Sequence, residues 1–291
     1  MAWPRPQGST TKQRANNPRT ATNASRFHVV LLPGIVLPAE LAYRALVEAL
    51  GDGIETIVKD LEVYATDEPP DEYSLELEAV GVLRAADARG WDRFHLVGYS
   101  GGGAAALILA ANHPERLLSL ALLEPAWAGT WNMSPAEEAV WQEFERLETL
   151  PPDELVPAFV RAQLAPGVQP PPPPEGDPPE WMAKRPAGIK ALMNAFAPDV
   201  LDRAALSRFT RPVYFALGGL SNQDDWGEMA KRLRAVFHDF ELEIFEDRHH
   251  FDPPHRVEPD RLARSLQSVW QRAERPDSGR GPLGSMTSHK R

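Results

Sequence analysis

The chain has 291 residues, a net charge of −10 and no cysteine. The acidic balance argues against a nucleic-acid partner. The missing thiols exclude disulfides, thiolate nucleophiles and thiolate metal sites. A hydrophobic share of 43% suits a globular protein, and the length allows one large α/β domain with a sizeable core. The most apolar window, residues 96–111, is too short and too rich in glycine to span a bilayer. With no signal-peptide core at the N-terminus, a soluble, cytoplasmic protein is expected.

Residues 1–26 contain no Asp or Glu and carry five basic residues among Ser, Thr, Asn and Pro. A disordered tail is expected there. Phe27 to Leu32 is an apolar run ending at Pro33-Gly34, which predicts a buried parallel strand and a turn. The helical spacing of Leu41, Ala45, Leu46 and Ala49 predicts a helix over 38–50, stopped by Gly51. A short strand over 54–58 and a helix over 74–89 follow, with Ser74 as N-cap and Gly90 as stop.

Phe94 to Val97 is the next buried strand. Gly98-Tyr99-Ser100-Gly101-Gly102 follows at once, and then an Ala/Leu/Ile run closed by Asn112-His113-Pro114. Strand, G-x-S-x-G and helix form the nucleophile-elbow pattern, which sets a serine on a sharp turn at a strand end. The turn brings backbones close together, so its flanking positions must be small, as Gly98 and Gly102 are. Ser100 would stand at a helix N-terminus, where free N–H groups favour developing negative charge. On these residues the chain resembles the α/β-hydrolases, from about residue 27 to 273.

Leu117 to Leu123 predicts another strand, ending at Glu124-Pro125. The β-α-β-α-β-α-β rhythm to that point argues for a doubly wound parallel sheet. Residues 125–211 break the rhythm. They predict helices over 134–147, 153–164, 187–196 and 200–208 around a stiff run, Pro170 to Pro174. That run is expected to be a loop spacer, with a ligand for a partner domain as the alternative. Strands return over 212–217 and 240–245, with helices over 226–237 and 259–273, and a polar tail follows.

The resemblance implies a core over 27–124 and 212–273, a mostly helical, Pro-rich cap over 125–211, and disordered tails at 1–26 and 274–291. The strand at 27–32 corresponds to the family's third. The expected sheet therefore has about six parallel strands and lacks the family's first two.

The same resemblance implies a Ser–His–acid site. A serine hydroxyl needs a general base within hydrogen-bond reach. The family's base follows the last core strand, where His249 and His250 stand. The context His250-Phe251-Asp252-Pro253 favours His250. A metal site from His249, His250 and His255 is not expected, because no helix puts them on one face. The other five histidines have no motif around them.

For the acid, the commoner family position lies after the strand ending at Gly218-Gly219. Asp224 and Asp225 there fall somewhat late. A second family position ends the strand after the elbow helix, where Glu124 stands. Glu124 is favoured, and Asp224 and Asp225 remain alternatives. The oxyanion donors implied are the backbone N–H groups of Ile35 and Gly101, although Pro33-Gly34 replaces the family's His-Gly. Gly34, Val36, Tyr99 and Trp127 would line an apolar substrate site.

The expected activity is hydrolysis of an ester-like bond (carboxylic ester, lactone or thioester) of a small apolar molecule, with no metal or other cofactor. Lyase, C–C hydrolase and acyltransferase outcomes stay open on the same residues. So does a non-catalytic ligand binder, since a fold does not dictate function.

Overall fold

The computed structural model describes residues 27–147, 150–172, 176–196 and 201–275. The expected tail at 1–26, the second tail from residue 276 and the end of the proline run lie outside them.

Six strands form one parallel sheet: β1 (Phe27–Leu32), β2 (Ile54–Val58), β3 (Phe94–Ser100), β4 (Leu117–Pro125), β5 (Val213–Gly218) and β6 (Phe240–Phe245). Their order is β2-β1-β3-β4-β5-β6. The chain first steps outward from β1 to β2. It then returns to the other side of β1 and proceeds through β3 to β6. The direction reverses between β1 and β3, and open parallel sheets take ligands at the carboxyl ends of such a pair. β1 ends at Pro33-Gly34-Ile35 and β3 ends at Ser100, so both converge on the reversal point.

Helices cover both faces. On one face lie α1 (Ala39–Leu50), the one-turn α9 (Pro254–Val257) and α10 (Pro259–Ala273). In α10 the buried residues Leu262, Ala263, Leu266, Val269 and Trp270 recur at helical spacing. They make a stripe that seals this face beside Tyr43 and Leu46 of α1. The other face carries α2 (Leu75–Asp87), α3 (Gly101–Asn112) and α8 (Glu228–Arg234). Every residue of α3 from Gly101 to Ala111 is buried. A helix apolar all round belongs in a core. The Gly and Ala side chains of α3 let it sit against β3 and β4 while α2 covers it.

Between β4 and β5 the chain carries α4 (Pro135–Leu147), α5 (Pro152–Ala162), α6 (Arg185–Asn194) and α7 (Arg203–Ser207). A buried ion pair ties this segment to the core. Arg232 of α8 holds Glu137 of α4 through two hydrogen bonds, at 2.6 and 3.2 Å, and also donates to the Ala128 carbonyl at 2.8 Å. The bidentate geometry and the extra acceptor offset the cost of burying both charges.

Local differences from the sequence reading have local causes. The helix expected from Trp226 begins at Glu228, behind a wide π-type turn over Gln223–Gly227. Asn222 organises that turn: its side chain accepts from the Asp224 N–H and its carbonyl from the Trp226 N–H, both at 3.1 Å. The helix expected over 200–208 is described only for α7, capped by Asp202 through a 2.7 Å bond from the Ala204 N–H. The α9 turn, which begins at Pro254, was not expected from the sequence. Proline in the first helical turn costs nothing, since its N–H would be unpaired anyway.

Candidate active site

Ser100 has φ 50°, a strained value for a residue with a side chain. The strain is held by close backbone packing. A Cβ on Gly102 would lie 2.5 Å from the Pro33 carbonyl oxygen, and one on Gly98 would run into the Gly102 carbonyl. Only glycine fits at either position. The Gly102 N–H donates to the Pro33 carbonyl at 3.0 Å, which fastens the end of β1 to the elbow.

Glu124 is the counterpart on β4. In the β3–β4 ladder Tyr99 pairs with Leu123 and Ser100 with Pro125, so Glu124 is the extra residue of a bulge, with φ 44°. A bulge re-aims a side chain. Here it turns the carboxylate toward the last loop of the core. One carboxylate oxygen accepts the Gly218 N–H at 2.7 Å and the other lies 3.0 Å from His250 Nδ1. Both oxygens of a buried carboxylate are thus satisfied.

His250 completes the chain, with Nε2 3.1 Å from Ser100 Oγ. An ionised carboxylate only accepts, which puts the imidazole proton on Nδ1 and leaves Nε2 to accept the serine proton. The loop carrying His250 is braced by Arg248, which pairs with Asp252 at 2.6 Å and Glu258 at 2.9 Å. Tyr99 donates its hydroxyl to the His250 carbonyl. Trp226 stacks on the imidazole at 4.3 Å, with 13° between the planes.

The helix N-terminus behind Ser100 supplies unpaired donors. Among the described residues, neither the Gly101 nor the Ile35 N–H donates to a backbone acceptor. Both residues are buried beside Ser100, and a Cβ on Gly101 would be 3.8 Å from Ile35 Cβ. That same Cβ would meet Leu192 Cδ2 of α6 at 2.8 Å. One turn earlier on α6, Gly188 packs on the Tyr64 ring, and Arg185 stacks over it at 3.8 Å. The Tyr64 hydroxyl donates to the Ile35 carbonyl at 2.8 Å. One helix therefore touches the Gly101 side directly and the Ile35 side through Tyr64.

The remaining candidates fall in different places. Asp224 is exposed. Asp225 is buried, and no hydrogen bond joins it to His250. One of its carboxylate oxygens has no partner. Burial, with the Glu137 and Glu124 charges adding to it against Arg232, pushes its pKa up to about 8. His249 is half-buried, and its ring nitrogen accepts from the Phe251 N–H at 3.1 Å. Burial, opposed by the Asp252 and Glu124 charges, holds its pKa below the usual value. His255 is fully buried between the Tyr43 and Tyr99 rings, and burial pushes its pKa down to about 3. Gly34 gives room to the Tyr99 ring, and Val36 is exposed. Trp127 is buried and stacks on Phe196 at 5.5 Å. Among the described residues no group of three or more His, Asp or Glu could hold a metal ion, and no helix is long and apolar enough to cross a membrane.

Sequence reasoning missed Trp226, Tyr64 and Leu192. Trp226 directly follows the alternative acids Asp224 and Asp225, which is a usable signal. Tyr64 and Leu192 are set beside the site by tertiary packing alone.

The parallel sheet, the strained serine between β3 and α3 and the Ser–His–carboxylate geometry together describe one fold class. The family profile for the alpha/beta hydrolase fold matches residues 28–163. The chain has the alpha/beta hydrolase fold. Over 134 residues it is 34% identical to a 2-hydroxymuconate semialdehyde hydrolase of Pseudomonas putida, covering 40% of this chain and 46% of that protein. Over 55 residues it is 42% identical to a Caulobacter segnis protein named for carbamate hydrolysis, covering 19% of this chain and 21% of that protein. The chain thus spans less than half the length of either of these relatives. A solved bacterial membrane phospholipase A superposes with a TM-score of 0.62 at 20% identity, over 86% of this chain and 80% of that one.

Proposed function

We propose that the chain is a serine hydrolase acting on an ester-like bond of a small, largely apolar molecule through an acyl-enzyme. The observation that carries this reading is the unbroken Ser100–His250–Glu124 chain, at 3.1 and 3.0 Å, beside two unused backbone donors. His250 Nε2 takes the Ser100 proton as Oγ attacks the carbonyl carbon. The oxyanion is held by the Ile35 and Gly101 N–H groups. Glu124 stabilises the imidazolium, which then protonates the leaving group. Water, activated by the same imidazole, releases the acid and restores Ser100. The aliphatic surround of Leu61, Ile35 and Leu192 supports an apolar acyl group.

C–C hydrolysis is a second reading, supported by the semialdehyde-hydrolase relative. It uses the same residues on a carbonyl whose leaving group is carbon.

The test is labelling by a fluorophosphonate probe of wild type, Ser100→Ala and His250→Ala. Wild type labels and both variants lose at least about 99% of the rate, as expected for removal of a nucleophile or its base. Equal labelling of all three would sink the acyl-enzyme mechanism. A panel of esters, thioesters, lactones, carbamates and vinylogous diketones then separates the two readings.

A further inference from the structure

We propose that Trp226 is a positioning residue that holds the acid and the base of this site in one register. The inference rests on the Ser100–His250–Glu124 reading above. A single indole makes two oriented contacts. Its face lies parallel to the His250 imidazole, at 4.3 Å and 13°. Its edge donates from Nε1 to the Pro125 carbonyl at 3.1 Å, in the buried interior. Pro125 directly follows Glu124 and pairs with Ser100 across the β3–β4 ladder. The ring therefore bridges the bulge that aims the acid and the loop that carries the base, two segments 126 positions apart in sequence.

The geometry explains why such a brace matters. The hydrogen bonds donated by Nδ1 and accepted by Nε2 are strong only when both partners lie near the imidazole plane. Loop motion that rolls the ring would move both partners out of plane together. A flat, buried surface parallel to the ring resists that roll. The Nε1–H to Pro125 bond resists a shift of the bulge, whose positive-φ residue, Glu124, stores strain. Trp226 is itself fixed, being buried and held through its backbone N–H to the Asn222 carbonyl at 3.1 Å. Trp226 sits in the widened turn over Gln223–Gly227, and wide turns of this kind recur at functional sites. A π face also attracts the cation formed when His250 takes the serine proton. Mere core packing would explain the burial of Trp226, but it would require neither contact.

Two variants separate the contacts. Trp226→Phe keeps a ring face and loses the N–H donor. Trp226→Leu loses both. With a p-nitrophenyl ester as substrate, we expect kcat to fall roughly tenfold for Trp226→Phe and about a hundredfold for Trp226→Leu, with KM unchanged in both, as for misplacement of reacting groups. The downfield ¹H resonance of His250 Nδ1–H is expected in wild type and Trp226→Phe, and broadened or lost in Trp226→Leu. If Trp226→Leu does not fold, the Phe variant decides: a lowered kcat at constant KM supports the brace. Wild-type kcat and an unmoved Nδ1 resonance in the folded variants would overturn it, and so would losses that only track the unfolded fraction. If wild type itself fails to label or turn over, the hydrolase reading falls. The Nδ1 resonance then decides alone whether Trp226 holds the imidazole on Glu124.

Discussion

On the sheet side of Ser100, every polar atom of the reacting set is tied by a hydrogen bond to a strand end or its loop. Glu124 reaches Gly218 and His250, His250 reaches Ser100, and Pro33 reaches Gly102. On the α6 side, contact is made by the Leu192 methyl groups, by Trp127 stacked on Phe196, and by Arg185 lying over Tyr64. The first kind of contact is directional: it prefers a donor angle above about 150° and weakens steeply below about 120°. The second is nearly indifferent to small sliding. One side suits chemistry that needs reacting atoms in register. The other suits a wall that must move or deform for a substrate to reach a serine only 7% exposed.

The sharpest way to break this contrast is to remove the charge from the sheet side while leaving the shape. Glu124→Gln keeps the Gly218 contact and offers His250 an amide in place of a carboxylate. An amide can present its NH₂ to Nδ1 and stabilise the wrong tautomer, so kcat should fall by about 10³–10⁴-fold. Asp225→Asn, at a side chain with no hydrogen bond to Ser100, His250 or Glu124 among the described residues, should cost less than about tenfold. The two rates, measured on one ester, rank the acids. A larger loss in the Asp225 variant would transfer the acid's role to the β5 loop.

Leu192→Ala tests the other side, and its two readouts should move in opposite directions. Truncating a buried leucine leaves a cavity and should lower stability by about 2–3 kcal/mol in chemical denaturation. The same truncation clears the space over Gly101, so labelling by a long-chain fluorophosphonate should speed up several-fold. Slower labelling together with lower stability would make Leu192 part of a binding surface and not an obstruction.

The contrast also accounts for what was legible in the sequence. The elbow is read from short-range steric demand: two glycines at fixed offsets from a serine, between a strand pattern and a helix pattern. Glu124 was singled out through the family resemblance, as the residue standing at the second acid position. The bulge that aims it was not, because the extra residue shows only in the pairing with β3. Trp226 read as the first residue of a helix, since its periodicity continues into α8 and nothing local marks the widened turn. Leu192 reaches Gly101 and Tyr64 reaches Ile35 through contacts between segments distant in sequence, and no local pattern encodes those. Helix ends set by single caps, such as Ser74 on Leu77, were close, and so was the start of α6; the Pro-initiated turn α9 was missed.

A last expected effect, read in pH dependence and not in rate, concerns Asp225, which lies between the two sides, near both Glu124 and the Glu137–Arg232 pair. Its folded pKa of about 8 stands well above the roughly 3.9 of an unfolded aspartate. Below about pH 4 both states hold the proton and the site adds no pH dependence. Between about 4 and 8 the unfolded chain releases the proton and the folded chain keeps it, so the contribution to stability falls as pH rises. Above about 8 the penalty is constant. Asn has nearly the same shape and no charge, so Asp225→Asn removes this slope. The melting temperature of the variant minus that of wild type should climb from pH 4 to 8 and then level off. His95 and His255, both pushed down to about 3 by burial, impose the opposite slope below about pH 6.5. They are present in both proteins and cancel in the difference. A flat difference curve would mean that Asp225 is ionised in the folded protein at neutral pH. Its unpaired carboxylate oxygen would then need a donor or a water to stabilise that charge. A climbing curve would instead make Asp225 a neutral hydrogen-bonding group, leaving Glu124 as the carboxylate available to balance an imidazolium at His250.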